Sequence, residues 1–291
     1  MSHRSGFVNI VGSPNVGKST LMNHLVGERL SIITSKAQTT RHRIMGIVSG
    51  EDFQIVYSDT PGVVNPAYKL HESMQGYVNE ALKDADILIF ITDIFEDAPN
   101  DPKLLEKVQK SDIPTLVLVN KIDLGDEKKV AERLDYWKEQ IPRALVIGTA
   151  ALHNYNVQPV LDKILEMLPE GPAYFPKDEL SDRPMRFFVS EIIREKILKY
   201  YSKEIPYSCE VEIDTFKEEK DITKIRAIIY VMRSTQKGII IGHQGKAIKK
   251  LGIESRKDIE RMLGKKVHLE LFVKVSKDWR DSERGLKKFG Y

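Results

Sequence analysis

A mixed α/β sheet wrapped by helices, followed by a smaller α+β domain, is the architecture this sequence predicts, and three observations carry it. Gly12-Ser13-Pro14-Asn15-Val16-Gly17-Lys18-Ser19 stands between a β-branched run, Gly6 to Val11, and a helix-forming run, Thr20 to Leu25. Apolar strand-length runs then alternate with amphipathic segments as far as residue 168, the pattern of right-handed β-α units around a mostly parallel sheet. Finally, Gly242-His243-Gln244-Gly245 joins an apolar stretch to a basic helix in the last third of the chain. The expected boundaries are 1–168 for the first domain, 169–182 for a Pro-rich linker, and 183–291 for the second domain and its tail.

The first motif has the residues of a phosphate-binding loop in their proper order. Gly12 and Gly17 let the backbone wrap a polyphosphate so that successive amides face its oxygens. Lys18 can reach the β and γ phosphates, the Ser19 hydroxyl can ligate magnesium, and Thr20 opens a helix whose N-terminal dipole favours the anion. The base is chosen by Asn120-Lys121-Ile122-Asp123, which follows the apolar run Ile113 to Val119. Guanine offers a ring N–H and an amino group side by side, and one carboxylate, Asp123, can accept from both. Adenine has no such adjacent pair and would leave that carboxylate unpaired. Asn120 is expected to hold neighbouring loops together, and the Lys121 stem to cover the base.

Between these anchors lies Asp59-Thr60-Pro61-Gly62, after the strand Phe53 to Ser58. Asp59 suits an outer-sphere magnesium role, and the Gly62 amide can reach the γ phosphate. Loss of that hydrogen bond on hydrolysis would release the following segment, an order–disorder switch. In the polar, basic segment Ser35 to Arg43, Thr40 is the expected residue to close on magnesium, with Thr39 second. Gly148-Thr149-Ala150 follows Arg143 to Ile147, and the Ala150 amide is expected to touch the guanine carbonyl. Lys18, Thr40 and Gly62 are thus the candidate catalytic groups, with Ser19, Thr40 and Asp59 around the metal.

The chain has 291 residues, enough for two domains that each bury a core, and a single cysteine, Cys209, which excludes an internal disulfide. No apolar stretch approaches the roughly 20 residues of a membrane-spanning helix, and the expectation is a soluble cytoplasmic protein. The formal charge of +3 hides a division: from Phe175 onward there are 27 Lys+Arg against 19 Asp+Glu, and before it 18 against 23. Only the C-terminal part is suited to a polyanion.

Three prolines and a glycine between Leu168 and Glu179 end the helix that closes with Ile164 to Met167. Residues 44–50 and 53–58 read as a hairpin that supplies the one antiparallel edge. Past the linker, Arg186 to Leu198 has helical spacing, Ser208 to Asp214 and Lys224 to Met232 read as strands, and Phe216 to Asp221 as the charged separator between them. A Gly-x-x-Gly turn brings backbone close to a nucleic-acid backbone and clamps about four nucleotides. Lys246, Lys249 and Lys250 then flank phosphates, Lys237, His243 and Gln244 belong to the same RNA site, and Ile239, Ile240 and Ile241 form an apolar platform under unstacked bases. The helix–strand–strand–helix–helix–strand order, ending in Val267 to Val275, makes this a KH domain of the prokaryotic, type II topology.

The five nucleotide elements resemble those of the translation-factor-related P-loop GTPases over residues 6 to about 168. Val63 departs from the Ras-like pattern, which carries a water-orienting glutamine there. Valine can neither donate nor accept, so slow intrinsic turnover is expected, with a partner or cation supplying the missing stabilisation. In relatives with this apolar replacement, an asparagine at the position of Asn15 helps hold potassium. Together with the Pro-rich linker and the KH domain, Lys36 to Arg43 and Lys237 to Gly242 resemble the bacterial Era GTPases nearly end to end, Thr149-Ala150 replacing a commoner Ser-Ala. That resemblance implies binding of GTP and GDP with Mg2+, contact with 16S rRNA near its 3′ end, and assistance to 30S subunit assembly. It also implies a monomer, with peripheral association at the cytoplasmic face of the inner membrane in some members. A constitutive RNA-binding assembly factor that uses GTP mainly as a structural ligand is the competing reading.

Overall fold

The computed structural model describes residues 2–34, 36, 38–62, 66–98 and 101–291. These fall into two compact units, one of residues up to 67 with 71–182, the other of 68–70 with 183–291. Through residue 168 the chain forms β1 (Arg4–Gly12), α1 (Lys18–Val26), β2 (Ile44–Ser49), β3 (Phe53–Asp59), α2 (Lys69–Lys83) and β4 (Ile87–Asp93). Then come α3 (Pro102–Lys110), β5 (Thr115–Asn120), α4 (Glu127–Gln140), β6 (Leu145–Gly148) and α5 (Val157–Met167).

The six strands lie in the order β2-β3-β1-β4-β5-β6. All neighbours are parallel except β2, which pairs antiparallel with β3 at the edge. β4 and β5 are buried along their whole length, as strands covered on both faces by helices must be. Strand order reverses about β1, and the crevice beyond the carboxyl ends at such a reversal is where α/β sheets bind ligands. Gly12, Asp59, Asp93, Asn120 and Gly148 are the last residues of their strands at that edge. Side chains cap two of the helix starts: Asp101 accepts from the Lys103 amide at the head of α3, and Asp126 from the Lys129 amide at the head of α4. Trp137 is fully buried, its ring 5.1 Å from that of Phe90.

The segment 169–182, read from sequence as a linker, is fastened to the first unit. Gln54 is buried, accepts from the amides of Tyr174 and Phe175 at 2.7 and 2.9 Å, and donates to the Phe175 carbonyl at 2.8 Å. The Ile47 amide donates to the Leu180 carbonyl, and the Ser181 hydroxyl to the Met45 carbonyl at 2.6 Å. Backbone without a helix of its own still needs partners, and the open edge at β2 supplies them.

The second unit comprises α6 (Met185–Tyr200), α7 (Ile205–Ser208), β7 (Glu210–Glu218), β8 (Ile222–Val231), α8 (Ser234–Ile241), α9 (Lys246–Leu263), β9 (Lys266–Val275) and α10 (Glu283–Lys288). β8 is central, antiparallel to β7 and parallel to β9. Val189, Ile193 and Ile197 of α6, Leu251 and Ile259 of α9, and Ile225 and Ile229 of β8 share its core. Two expectations need correction. The charged stretch Phe216 to Glu218 continues β7, pairing with Ile225 to Thr223 after a register shift at Ile213/Thr215, so the connection is shorter than expected. Ile239 to Ile241 form the end of α8 and not a flat platform. Trp279 is structural: it is buried, and its Nε1 donates to the Ser208 carbonyl at 3.0 Å.

Candidate nucleotide site and nucleic-acid interface

Gly12 to Thr20 turn from the end of β1 into α1, around a cavity of about 90 Å3 lined by Asn15, Lys18, Ser19, Thr40 and Gly62 among others. Gly17 sits at φ 110°, and a Cβ there would lie 2.2 Å from Asn120 Nδ2. Only glycine allows the loop and the distant asparagine to approach so closely. Lys18 is buried, and its Nζ donates to the carbonyls of Gly12 and Ser13 at 3.0 and 2.7 Å. Burial holds its pKa down to about 8, against the pull of Asp59 and Glu96. The ammonium is therefore partly desolvated and poised beside the loop's carbonyls, where an anion would favour its charged form.

Ser19, Thr40 and Asp59 come from three separate elements and meet. Ser19 Oγ donates to Asp59 Oδ2 at 2.7 Å and lies 3.0 Å from Thr40 Oγ1, which is 3.3 Å from the same carboxylate oxygen. Burial pushes Asp59 above the usual carboxylate range, while the Ser19 hydroxyl and Lys18 oppose that. Its other oxygen, Oδ1, is buried without a hydrogen-bond partner among the described residues. Two hydroxyls and a buried carboxylate with an oxygen to spare are a donor set that fits Mg2+ with its waters. Thr60 Oγ1 donates to the Ile10 carbonyl at 2.7 Å, anchoring the start of Asp59 to Gly62. Val63 lies outside the described residues.

Asn120 binds the far side of the crevice together. Its Nδ2 donates to the Val16 carbonyl at 2.7 Å, and its Oδ1 accepts from Thr149 Oγ1 at 3.2 Å and the Ala151 amide at 2.9 Å. Lys121 adopts a left-handed backbone and pairs through Nζ with Asp93 at 2.6 Å. Ile122 and Asp123 form the following short turn, where Asp123 stays partly open with His153 Nε2 at 3.4 Å. The Ala150 amide, expected at the guanine carbonyl, donates to the Tyr155 carbonyl at 3.2 Å in a local bridge. Asp93, Ala151 and His153 were missed from sequence. Asp93 could have been noticed as the polar end of an apolar strand; the other two carry no signal without the fold.

In the second unit, Gly242 to Gly245 form a tight turn between α8 and α9. Gly242 has φ 71°, and a Cβ on it would lie 2.5 Å from the Ala247 Cβ. His243, Gln244, Lys246, Lys249 and Lys250 are exposed around it, Lys237 is half-buried, and α9 starts directly from the turn, the Lys246 amide donating to the His243 carbonyl. Of the three isoleucines, Ile239 is exposed, but Ile240 is fully buried, with its carbonyl accepting from Tyr201 Oη at 2.8 Å. Ile240 therefore cannot meet a base; helical geometry turns it inward. The apolar surface lies one element further on, in a cleft of about 310 Å3 between α9 and β9, lined by Ile248, Lys249, Ile253, Arg256, Leu269 and Leu271. Its signal was present as the i, i+4 spacing of Ile248 with Gly252 and Arg256, and of Lys249 with Ile253.

These two sites define a P-loop GTPase unit followed by a KH unit. Residues 7–121 match the family described as 50S ribosome-binding GTPase, and residues 204–280 match the KH domain family. The GTPase Era of Alkaliphilus metalliredigens is 43% identical over the full length of both chains, and that of Clostridium kluyveri 43% identical over 99% of each. A solved structure of Era with MgGDPNP and nucleotides 1506–1542 of 16S ribosomal RNA superposes with a TM-score of 0.95 at 37% identity, covering 99% of each chain. An Aquifex aeolicus Era variant bound to GDP.AlF4- gives 0.94 at the same identity and coverage. The chain belongs to the Era GTPase family.

Proposed function

We propose that this GTPase uses its nucleotide state to control engagement of 16S rRNA near the 3′ end, and so assists 30S subunit assembly. The observation that carries the reading is the meeting of Ser19, Thr40 and Asp59 beside buried Lys18. In this reading Lys18 neutralises the β and γ phosphates, the Gly62 amide bonds the γ phosphate, and Asp123 selects guanine. Ser19 and Thr40 would hold Mg2+, with Asp59 behind its waters. Mg2+ supplies positive charge to the phosphate oxygens that become more negative as the terminal group leaves. Thr40 and Gly62 respond to the γ phosphate and lose their partners once it departs.

Val63 offers no group to orient water, so turnover is slow until a partner or cation adds stabilisation. Asn15 lines the phosphate cavity, and its side-chain carbonyl oxygen is of the donor type that potassium takes. In the KH unit the Gly242–Gly245 turn and the α9 N-terminus take phosphates. Lys246, Lys249 and Lys250 add charge, and the α9–β9 cleft receives unstacked bases. The relative solved with 16S nucleotides supports this choice of RNA. Family resemblance also supports a cytoplasmic monomer with peripheral inner-membrane association. Among the described residues, no helix is long and apolar enough to cross a membrane.

The test is paired on one folded variant carrying Gly242→Asp and Gly245→Asp. Filter binding to an oligonucleotide of the 16S 3′ end should fail, and fluorescent-GTP titration should be unchanged. Retained RNA affinity would remove the clamp from this reading.

A further inference from the structure

Thr40, Arg41, His42 and Arg43 are consecutive polar residues, and all of them are buried. Their course is set by Asp59. The Thr40 hydroxyl lies 3.3 Å from the Asp59 carboxylate, and Ile44 then opens β2 in register with Asp59 of β3. Between those two contacts the chain must double back, and the Arg43 side chain pins the fold. Its Nε donates to Ser58 Oγ at 2.6 Å, and its two terminal nitrogens fork onto the Asp84 carboxylate at 2.6 and 2.9 Å. One of them also reaches Asn9 Oδ1 at 3.3 Å. Asn9 Nδ2 in turn donates to Asp84 Oδ1 and to the Ala81 carbonyl, each at 2.7 Å. The His42 ring lies 6.2 Å from that of Tyr77 in α2.

We propose that Arg43 is a positioning residue for GTP hydrolysis: its guanidinium fixes Thr40 beside Ser19 and Asp59, where the metal closes. The inference rests on the metal reading of Thr40 above. The anchors of Arg43 come from separate elements, and each is close in sequence to a group of the nucleotide site. Asn9 belongs to β1, which ends at Gly12; Ser58 immediately precedes Asp59; and Asp84 immediately follows α2, the helix downstream of Gly62. The chain from Thr40 to Arg43 can span at most about 11 Å, so a fixed Arg43 leaves Thr40 little room to stray. A planar fork with two parallel bonds fixes direction as well as distance, which an ammonium on a flexible stem cannot do. Arg43 itself touches neither phosphate nor metal in this reading. It spares the segment the ordering that Thr40 would otherwise need each time the metal closes.

Arg43→Lys keeps the charge and loses the fork. Asp84→Ala, at a half-exposed side chain, loosens Arg43 with less risk to the fold. Mg2+ titrations of fluorescent GDPNP and GDP binding read the effect, with phosphate release alongside. Arg43→Lys should raise the Mg2+ needed for half-maximal GDPNP binding about tenfold and slow hydrolysis by a similar factor, with GDP binding within about twofold of the parent. Asp84→Ala should shift both in the same direction by less. Hydrogen exchange on the nucleotide-free protein reads the anchor itself: the amides of 40–43 should exchange faster in both variants, while those of α5 stay as in the parent. In a Thr40→Ala background, Arg43→Lys should cost less than about twofold more, because a residue acting through another does not add to its loss. Unchanged Mg2+ dependence in both variants, equal losses for GDPNP and GDP, or additive costs would reduce Arg43 to a structural brace and overturn the inference. If Thr40→Ala alone leaves the Mg2+ dependence of GDPNP binding unchanged, the metal reading of Thr40 falls and takes the inference with it.

Discussion

Asn120 Nδ2 donates to the carbonyl of Val16 at 2.7 Å, a bond across 104 residues that joins the base-reading loop to the phosphate loop. Because the Asn120 Oδ1 also holds Thr149 and Ala151, one buried side chain sets the spacing between base and phosphates. Asn120→Ala leaves those partners unsatisfied. At about 1 kcal/mol for each of two or three bonds, nucleotide affinity should fall roughly 30- to 150-fold. Fluorescent-nucleotide titration reads the loss, and a thermal melt on the same sample checks that the fold survives.

Base choice is a separate matter, which the proposed reading assigns to Asp123. Asp123→Asn turns one acceptor into a donor and should move preference from guanine to xanthine nucleotides. Competition among GTP, ATP and XTP measures it, and unchanged GTP preference would contradict the role given to Asp123.

The depressed Lys18 predicts a pH dependence with a definite sign. Phosphates raise the Lys18 pKa above its free value of about 8, so binding is coupled to a proton that the free protein already holds only below that pH. Affinity should be flat under pH 7.5 and fall by up to about tenfold per unit above pH 8. Lys18→Arg, charged throughout, should remove that fall whatever it does to affinity at neutral pH. A flat wild-type profile to pH 9.5 would mean the ammonium is not at the phosphates.

Much of this was legible because the signals are local. Gly12 to Ser19 reads as a loop between a strand and a helix, Asn120 to Asp123 as the end of a buried strand, and the helix–strand order of the second unit as a KH domain. What escaped depends on direction or distance. Ile240 looks like its neighbour Ile239 in sequence, but a helix turns one inward and the other to solvent. The Ala150 amide bonds the Tyr155 carbonyl, five residues on, through a bridge that no motif announces. The approach of Ala151 to Asn120 and of His153 to Asp123 exists only once separate elements are brought together. Thr40, by contrast, was chosen over Thr39 on residue type and place, and its hydroxyl does lie with Ser19 and Asp59.

Hydrolysis should be insensitive to the residue after Gly62. With no polar group to lose, Val63→Ala should stay within a few-fold of the parent rate, while replacing potassium by sodium should slow turnover if Asn15 holds a cation. Phosphate release under both salts measures this, and abolished turnover in Val63→Ala with nucleotide still bound would contradict the account of water positioning.

In the KH unit, charge and apolar contact can be told apart by salt. Arg256→Ala and Lys249→Ala should each weaken RNA binding and lower the slope of log affinity against log salt by about one. Ile253→Ser should weaken binding with the slope unchanged, since it removes stacking surface and no phosphate contact.

The central claim is that nucleotide state and RNA engagement are coupled, and linkage makes that coupling reciprocal. The direct measurement is the affinity of the full chain for an oligonucleotide of the 16S 3′ end with GDPNP and then with GDP, in the same buffer and salt. A switch predicts tighter RNA binding with GDPNP by about five-fold or more, and an equal tightening of GDPNP over GDP when RNA is present. Identical RNA affinities in the two states would contradict it and leave a constitutive RNA-binding factor with GTP as a structural ligand.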